Sequence, residues 1–243
     1  MDSILEVAQL LKKSNKTVVI SGAGISTESG LPDFRSSKGI YQHTPEYVLS
    51  HSYFFHHTKE FYDFIRKTMY FRDAKPNQGH LILAEWERRN LVHQIITQNI
   101  DGLHDVSQNV MEIHGSILTA TCQNKQCRKK YNFYDVLDSG DFHCDCTEDK
   151  RYLIKPDIVL YEEAVPLYES AFWSVHDSEL LLILGSSLTV QPVASLVTAV
   201  IPGTPVVIIN NQSTPYEGKK NVIAIHASIG ETLAKIDEAL NEN

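Results

Sequence analysis

The sequence predicts an α/β protein built on a doubly wound parallel sheet. Three observations carry this reading. Near-continuous apolar runs recur at 17–20 ("TVVI"), 93–98 ("HQIITQ"), 179–185 ("ELLLILG") and 205–210 ("PVVIIN"), as expected of strands covered on both faces. Segments of helical period separate several of them. The first run also leads straight into a glycine-bearing loop, "SGAGISTESGLPDFR" at 21–35, the place where such sheets cradle phosphate.

In chain order, "MDSILEVAQLLKK" spaces Ile4, Leu5, Ala8 and Leu11 as an amphipathic helix. The run 36–76 is crowded with aromatics and histidines, "YQHTPEYVLSHSYFFHHTKEFYDFIRKTMYF" among them, and predicts a helical insert or cofactor lid. "GHLILAEWERRN" predicts a helix carrying Leu81, Leu83, Ala84 and Trp86. Residues 120–155 break the rhythm, being polar and rich in Lys and Asp, and they hold all four cysteines of the chain. The final helix, "SIGETLAKIDEAL", has Ser228 and Glu231 in capping-box spacing. The expected division is a Rossmann-type domain of 1–35, 77–119 and 156–243, a helical insert at 36–76 and a metal-binding module at 120–155.

Composition narrows the function. A chain of 243 residues can bury a sizeable core in one large domain with an insert. A net charge of -8 argues against general nucleic-acid binding and is compatible with a basic peptide substrate. No stretch approaches the roughly 20 apolar residues of a membrane helix, and the N-terminus lacks the pattern of a signal peptide. A cytoplasmic protein is expected, and clustered cysteines there favour metal over disulfides.

The loop departs from a dinucleotide fingerprint. Gly22 and Gly24 suit a tight turn, since glycine permits positive φ and close approach of backbone N–H groups to phosphate. Thr27 stands where the third glycine belongs, and no acid follows about 20 residues on. Asp33, Phe34 and Arg35 then offer a carboxylate, a ring and a guanidinium to a nucleotide; a local Asp–Arg pair is the plainer alternative. Further candidates end later strands: Asn99 and Asp101 in "TQNIDGLH", His114 in "EIHGS", Ser186 and Ser187 in "GSSLTVQP", and Asn210 in "INN". Taken alone, these residues leave open a nicotinamide-dependent oxidoreductase or a non-enzymatic nucleotide-binding module.

In order along the chain, "GAGISTESGLPDFR", "TQNID", "HG", "GSSLTVQP" and "IN", set around a four-cysteine insert, resemble the sirtuin family of NAD-dependent protein-lysine deacylases, of bacterial type. The resemblance implies an inverted Rossmann-type sheet with a zinc-binding module, and NAD consumed as an ADP-ribose donor. The acyl-lysine oxygen would attack C1′ of the nicotinamide ribose. Nicotinamide would leave, and water would complete release of deacylated lysine and O-acyl-ADP-ribose. By similarity His114 is the general base, with Asn99 beside it, and imidazole suits that role near neutrality. Ile100 and Asp101 would hold the carboxamide, and Phe34 would shield the reactive sugar. Ala23, Thr27, Asp33, Arg35 and Gln98 would hold the rest of the dinucleotide, with Ser186, Ser187 and Asn210 on phosphate and ribose and Ile229 near adenine. A sirtuin-like ADP-ribosyltransferase is the nearest alternative.

The resemblance also implies an acetylated peptide bound as an added strand between "VLYEE" (159–163) and "TVQP" (189–192), touching Val159, Tyr161, Glu162 and Val190. The family usually has glycine where this chain has Glu162. Members that favour acidic acyl groups carry a Tyr with an Arg three residues later. Here Ile65 follows Tyr62, so a neutral acyl group such as acetyl is expected. Cys122, Cys127, Cys144 and Cys146 are the expected ligands of one structural Zn²⁺, in unusual C-x₄-C and C-x-C spacing, with His143 as a substitute ligand. A monomer is expected, with neither nucleic acid nor membrane as partner.

Overall fold

The computed structural model of the chain describes residues 3–37 and 39–242. Met1, Asp2 and Asn243, at the ends of the expected Rossmann segments, and Lys38 in the expected insert lie outside the described residues. The strands are β1 (Thr17–Ser21), β2 (Gln94–Thr97), β3 (Val110–Glu112), β4 (Gly115–Cys122), β5 (Lys130–Asn132), β6 (Ile154–Ile158), β7 (Leu180–Leu184), β8 (Val206–Ile209) and β9 (Val222–Ile225). The helices are α1 (Ser3–Lys13), α2 (His51–His56), α3 (Thr58–Thr68), α4 (Gln78–Arg88), α5 (Phe133–Ser139), α6 (Tyr168–His176) and α7 (Ile229–Asn241).

Six strands form a parallel sheet in the order β3-β2-β1-β7-β8-β9. Counted within the sheet this is 3-2-1-4-5-6, the Rossmann order, and its switch point lies between β1 and β7. Both faces are covered. Val19, Ile95, Leu182 and Val207 pack with Leu11, Leu83, Trp86, Leu233 and Ile236 of α1, α4 and α7. Val18, Ile20, Leu181 and Ile183 pack with Ala171 and Val175 of α6 and with Leu196. Alternate residues of one strand therefore serve two cores, which is why the central strands read as unbroken apolar runs.

Two strands that the sequence reading did not name, β3 (Val-Met-Glu) and β9 (Val-Ile-Ala-Ile), lie at the sheet edges, where none of their residues is fully buried. In α1, Leu5 is 42% exposed and Val7 is buried, so the buried stripe departs by one residue from the expected one. The expected capping box of α7 does not form, for Ser228 makes no side-chain cap. Instead Glu28 Oε1 accepts from Ser228 Oγ at 3.0 Å and from Gly230 N–H at 3.1 Å. A carboxylate from the loop after β1 thus closes the start of the last helix.

The remaining elements build a second lobe. A three-stranded antiparallel sheet, β5-β4-β6, carries the cysteines. Its core is shared with the segment 36–76: Phe54, Phe61, Tyr62 and Ile65 cluster with Phe133, Leu137, Cys122 and Cys144. The Tyr62 ring stacks on Phe142 at 3.7 Å, and its hydroxyl donates to the Ile154 carbonyl. Two stretches separated in sequence thus complete one hydrophobic core. Among the described residues no helix is long and apolar enough to cross a membrane.

Two buried histidines lie in the Rossmann lobe. The His80 and His104 rings are 4.8 Å apart, and His104 Nε2 is 2.9 Å from Ser21 Oγ at the end of β1. Burial pushes His80 down to about 4, with Glu28 opposing, and His104 down to about 3, with His80 adding to the effect. The unfolded chain takes up these protons near pH 6.5, whereas the folded chain resists them until far lower pH. Stability is therefore lost as pH falls from 6.5 toward 4; the His80 shift alone corresponds to about 3 kcal/mol. The thermal midpoint is expected to fall across that interval, and to fall less in His104→Gln, which takes no proton. Equal pH slopes for the two proteins would contradict this.

Candidate active site

The loops that follow β1 and β7 meet at the switch point. Gly22 N–H donates to Leu184 O and Gly24 N–H to Gly185 O, both at 2.9 Å. A Cβ on Gly24 would lie 2.6 Å from Gly185 Cα, and one on Gly22 would lie 2.8 Å from Gly185 O. Backbone proximity, rather than the expected positive φ, therefore requires these glycines: Gly22 has φ -129° and Gly24 is not left-handed. Residues Ala23–Ser29 then form a short 3₁₀ helix.

A cavity of about 580 Å³ opens there, outside the carboxyl ends of the strands and against the second lobe. Its wall contains Ala23, Thr27, Asp33, Phe34, Arg35, Gln98, Asn99, Ile100, Asp101, His114, Ser186, Ser187 and Asn210. It also contains Val159, Tyr161, Glu162 and Val190. Among the expected site residues other than the cysteines, Ile229 alone has its side chain elsewhere, buried with Ile25 and Leu233 in the core.

At one end, Ser26 joins Asn99 to Asp101. Asn99 Nδ2 donates to Ser26 Oγ at 3.0 Å, and Ser26 Oγ donates to Asp101 Oδ2 at 2.7 Å. Burial raises the Asp101 carboxyl above its usual range, opposed by Leu103 N–H and the Ser26 hydroxyl. Sequence reasoning missed Ser26; its place in "GIS", one residue before Thr27, was the only signal.

His114 is held in one tautomer. Its Nδ1–H donates to the Gln98 carbonyl at 3.0 Å, so Nε2 is the basic nitrogen in the cavity. Burial holds its pKa below the usual imidazole value, with the Gln98 carbonyl opposing. The next residue must be glycine: Gly115 has φ +75°, and a Cβ there would lie 2.0 Å from Asp157 O. Gln98 also donates through Nε2 to Ser186 Oγ at 2.8 Å. The histidine and the loop after β7 therefore share one support.

The "PDFR" run forms no Asp33–Arg35 pair. Asp33 Oδ1 accepts from Ser36 N–H at 2.9 Å. Arg35 pairs with Glu46 at 2.9 Å, donates to the Tyr161 hydroxyl at 3.2 Å and lies over the Tyr41 ring. Phe34 packs on Tyr41 with ring centroids 5.3 Å apart. The Thr27 hydroxyl donates to Gly24 O, Ser187 Oγ is 2.9 Å from Thr189 Oγ1, and Asn210 Nδ2 donates to Gln212 O. Tyr62 and Ile65 are fully buried and do not line the cavity; Leu49, Met69 and Phe71 do. These three residues make that part of the wall apolar.

The four cysteines converge in the second lobe. Their sulfurs all lie within 4.8 Å of one another, with Cys122–Cys146 and Cys127–Cys144 both at 3.8 Å, and none forms a disulfide. His143 is not needed as a ligand, and its ring sits 3.6 Å from Asp141 instead. This arrangement fits a metal ion.

Replacing Ser26 with alanine leaves Asn99 Nδ2 without its acceptor and Asp101 Oδ2 without its donor. Urea titration of Ser26→Ala is expected to show a loss of about 1–3 kcal/mol. A loss below about 0.5 kcal/mol would show that the network carries little strength.

A model of the Sir2 family matches residues 22–192. An NAD-dependent protein deacetylase of Clostridium tetani is 39% identical, with 99% of each chain covered. A protein of the same name from Oceanobacillus iheyensis is 39% identical over 93% of this chain and 96% of its own. Among solved structures, a Sir2 complex with p53 peptide and NAD+ superposes with a TM-score of 0.87 at 34% identity, covering 98% of both chains. A Sir2 bound to acetylated peptide gives 0.85 at 33%, again over 98% of both. A matched family model over most of the chain and relatives of this identity along nearly its full length lead to one conclusion: the chain belongs to the Sir2 family.

Proposed function

We propose that the chain is an NAD-dependent protein-lysine deacetylase. One observation carries the reading: His114, its Nδ1 engaged by the Gln98 carbonyl, lines a cavity whose wall joins the loops after β1 and β7 to the segment 159–163. Bound NAD would supply C1′ of its nicotinamide ribose as the electrophile for the acetyl-lysine oxygen, the C1′–nicotinamide bond breaking as the C1′–oxygen bond forms, and one water would then be consumed in releasing deacetylated lysine and O-acetyl-ADP-ribose. The cavity fits such a ligand, since it lies at the switch point beside a side-chain-free backbone cradle.

Asn99 and Asp101, fixed through Ser26, hold a carboxamide: the amide and the carboxylate offer a donor and an acceptor at one end of the cavity. Phe34, packed on Tyr41, keeps water from the reacting sugar. Ala23, Thr27, Asp33, Arg35 and Gln98, with Ser186, Ser187 and Asn210, hold the remainder of the dinucleotide. His114 Nε2 takes the proton of a ribose hydroxyl while Nδ1 stays bonded to the Gln98 carbonyl. The acetyl-lysine peptide lies between 159–163 and 189–192, with Leu49, Met69 and Phe71 near the acyl group. The protein is further proposed to be a cytoplasmic monomer acting on acetylated proteins, with neither nucleic acid nor membrane as partner.

Zn²⁺ is the proposed metal. A Zn–S bond of about 2.3 Å gives a tetrahedral sulfur–sulfur edge of about 3.8 Å, and the Cys122–Cys146 and Cys127–Cys144 sulfur pairs each measure 3.8 Å. Cys122, Cys127, Cys144 and Cys146 would fill all four positions, which makes the ion structural. Because Cys122 and Cys144 belong to the second core, its removal loosens the wall of the cavity. Metal analysis is expected to find one zinc per chain, and chelation to abolish activity together with a loss of ellipticity; full activity in metal-free protein would refute the assignment.

His114→Ala is expected to slow formation of O-acetyl-ADP-ribose by about 10²–10⁴-fold, while nicotinamide release in the preceding step persists. Burial lowers the imidazole's pKa, so the base is already free below pH 6.5, and the acid limb of kcat/KM should lie below that value. Undiminished deacetylation by His114→Ala, or an acid limb above pH 7, would exclude this role. Retention of ADP-ribose on the protein by mass spectrometry would favour transferase activity instead.

A further inference from the structure

The segment 159–163 is anchored to the second lobe along one side. Tyr161 N–H donates to Leu49 O, and His51 N–H donates to Tyr161 O, both at 3.0 Å. Glu163 adds side-chain ties, with Oε1 at 2.9 Å from His51 Nδ1 and Oε2 at 3.1 Å from the buried Lys155 ammonium. Between them stands Glu162, with φ +76°. Glycine adopts that conformation freely; a residue with a Cβ adopts it only where its surroundings hold it there. The Glu162 carboxylate supplies the hold. Its Oε2 accepts from Ser52 N–H at 2.9 Å and from Ser52 Oγ at 2.6 Å, and among the described residues these are its hydrogen bonds.

The tie spans the two sides of the proposed peptide cleft's outer wall. Ser52 belongs to α2 of the second lobe, whereas Glu162 lines the cavity beside Val159 and Tyr161, as does Val190 of the 189–192 segment. We propose that Glu162 is a positioning residue for the peptide substrate, clipping the segment 159–163 to α2 through Ser52 so that the backbone facing the peptide is already ordered before the peptide arrives. A preordered strand loses less conformational freedom on pairing, so the benefit falls on peptide affinity. The dinucleotide side of the cavity has separate supports, in Gln98, Ser26 and Gly185. This inference rests on the deacetylase reading.

The test is steady-state kinetics on the full-length, zinc-replete enzyme, with an acetyl-lysine peptide and NAD varied in turn. Glu162→Gly keeps the turn but removes the clip. It is expected to raise the peptide KM about ten-fold, with the NAD KM within about two-fold and kcat reduced less than KM is raised. Ser52→Ala, which keeps the N–H donor, should raise the peptide KM about three-fold, and combining it with Glu162→Gly should add nothing further. Glu162→Gln still accepts from Ser52 and should restore most of the affinity. If Glu162→Gly folds poorly, Ser52→Ala and Glu162→Gln carry the comparison. An unchanged peptide KM in Glu162→Gly and Ser52→Ala, or equal losses for peptide and NAD, overturns the proposal. If the wild-type enzyme itself shows no NAD-dependent turnover, the deacetylase reading fails, and this inference falls with it.

Discussion

Two backbones touch at the carboxyl ends of β1 and β7, and the geometry of the site follows from that contact. Gly24 and Gly185 approach so closely that a methyl group on either would strike main-chain atoms. The contact brings the loop after β1 against the loop after β7, and Gln98 carries their position onward. Its N–H donates to Ser21 O, its side chain to Ser186, and its carbonyl accepts from His114. One residue thus links the sheet, the second loop and the orientation of the imidazole. A base held through a main-chain carbonyl keeps its tautomer without a carboxylate partner, and so without the rise in pKa that a negative charge would bring.

The second lobe contributes the other wall. It is built from two stretches far apart in sequence whose apolar residues meet around Tyr62, Phe133 and Phe142. Neither stretch holds enough buried surface to stand alone. The cysteine cluster closes the far side of this core, and Tyr161 with Glu163 anchors its near side to the cleft. The cysteine cluster, the aromatic packing and the segment 159–163 are therefore parts of one connected structure that reaches the cavity.

The central sheet was legible because β1, β2, β7 and β8 are covered on both faces and must be apolar throughout. The edge strands β3 and β9 were not read: β3 is three residues ending in a glutamate, and β9, though apolar, is a four-residue run with no fully buried residue. The loop chemistry was legible by residue type, and seventeen of the eighteen non-metal site residues expected from the sequence do line one cavity, with Ile229 apart. What the sequence hid were partnerships. Glu28 closes α7 from about 200 residues away in the chain, a choice that local capping rules cannot anticipate. Ser26 became visible only once folding set it between Asn99 and Asp101. Gly22 and Gly24 were assigned to the right place for a different reason, because sequence shows glycine but not which backbone it must admit. The shared core of the two inserts was hidden for the same cause, since contacts between distant segments leave no local period.

The central claim is that this cavity breaks a glycosidic bond and passes the sugar to an acyl oxygen. Its most direct test is the stoichiometry of products from one turnover of purified zinc-loaded enzyme with NAD and an acetyl-lysine peptide. The account predicts equal amounts of nicotinamide, deacetylated peptide and O-acetyl-ADP-ribose, with none of them formed when the acetyl group is absent. Release of free acetate with the dinucleotide intact would contradict it.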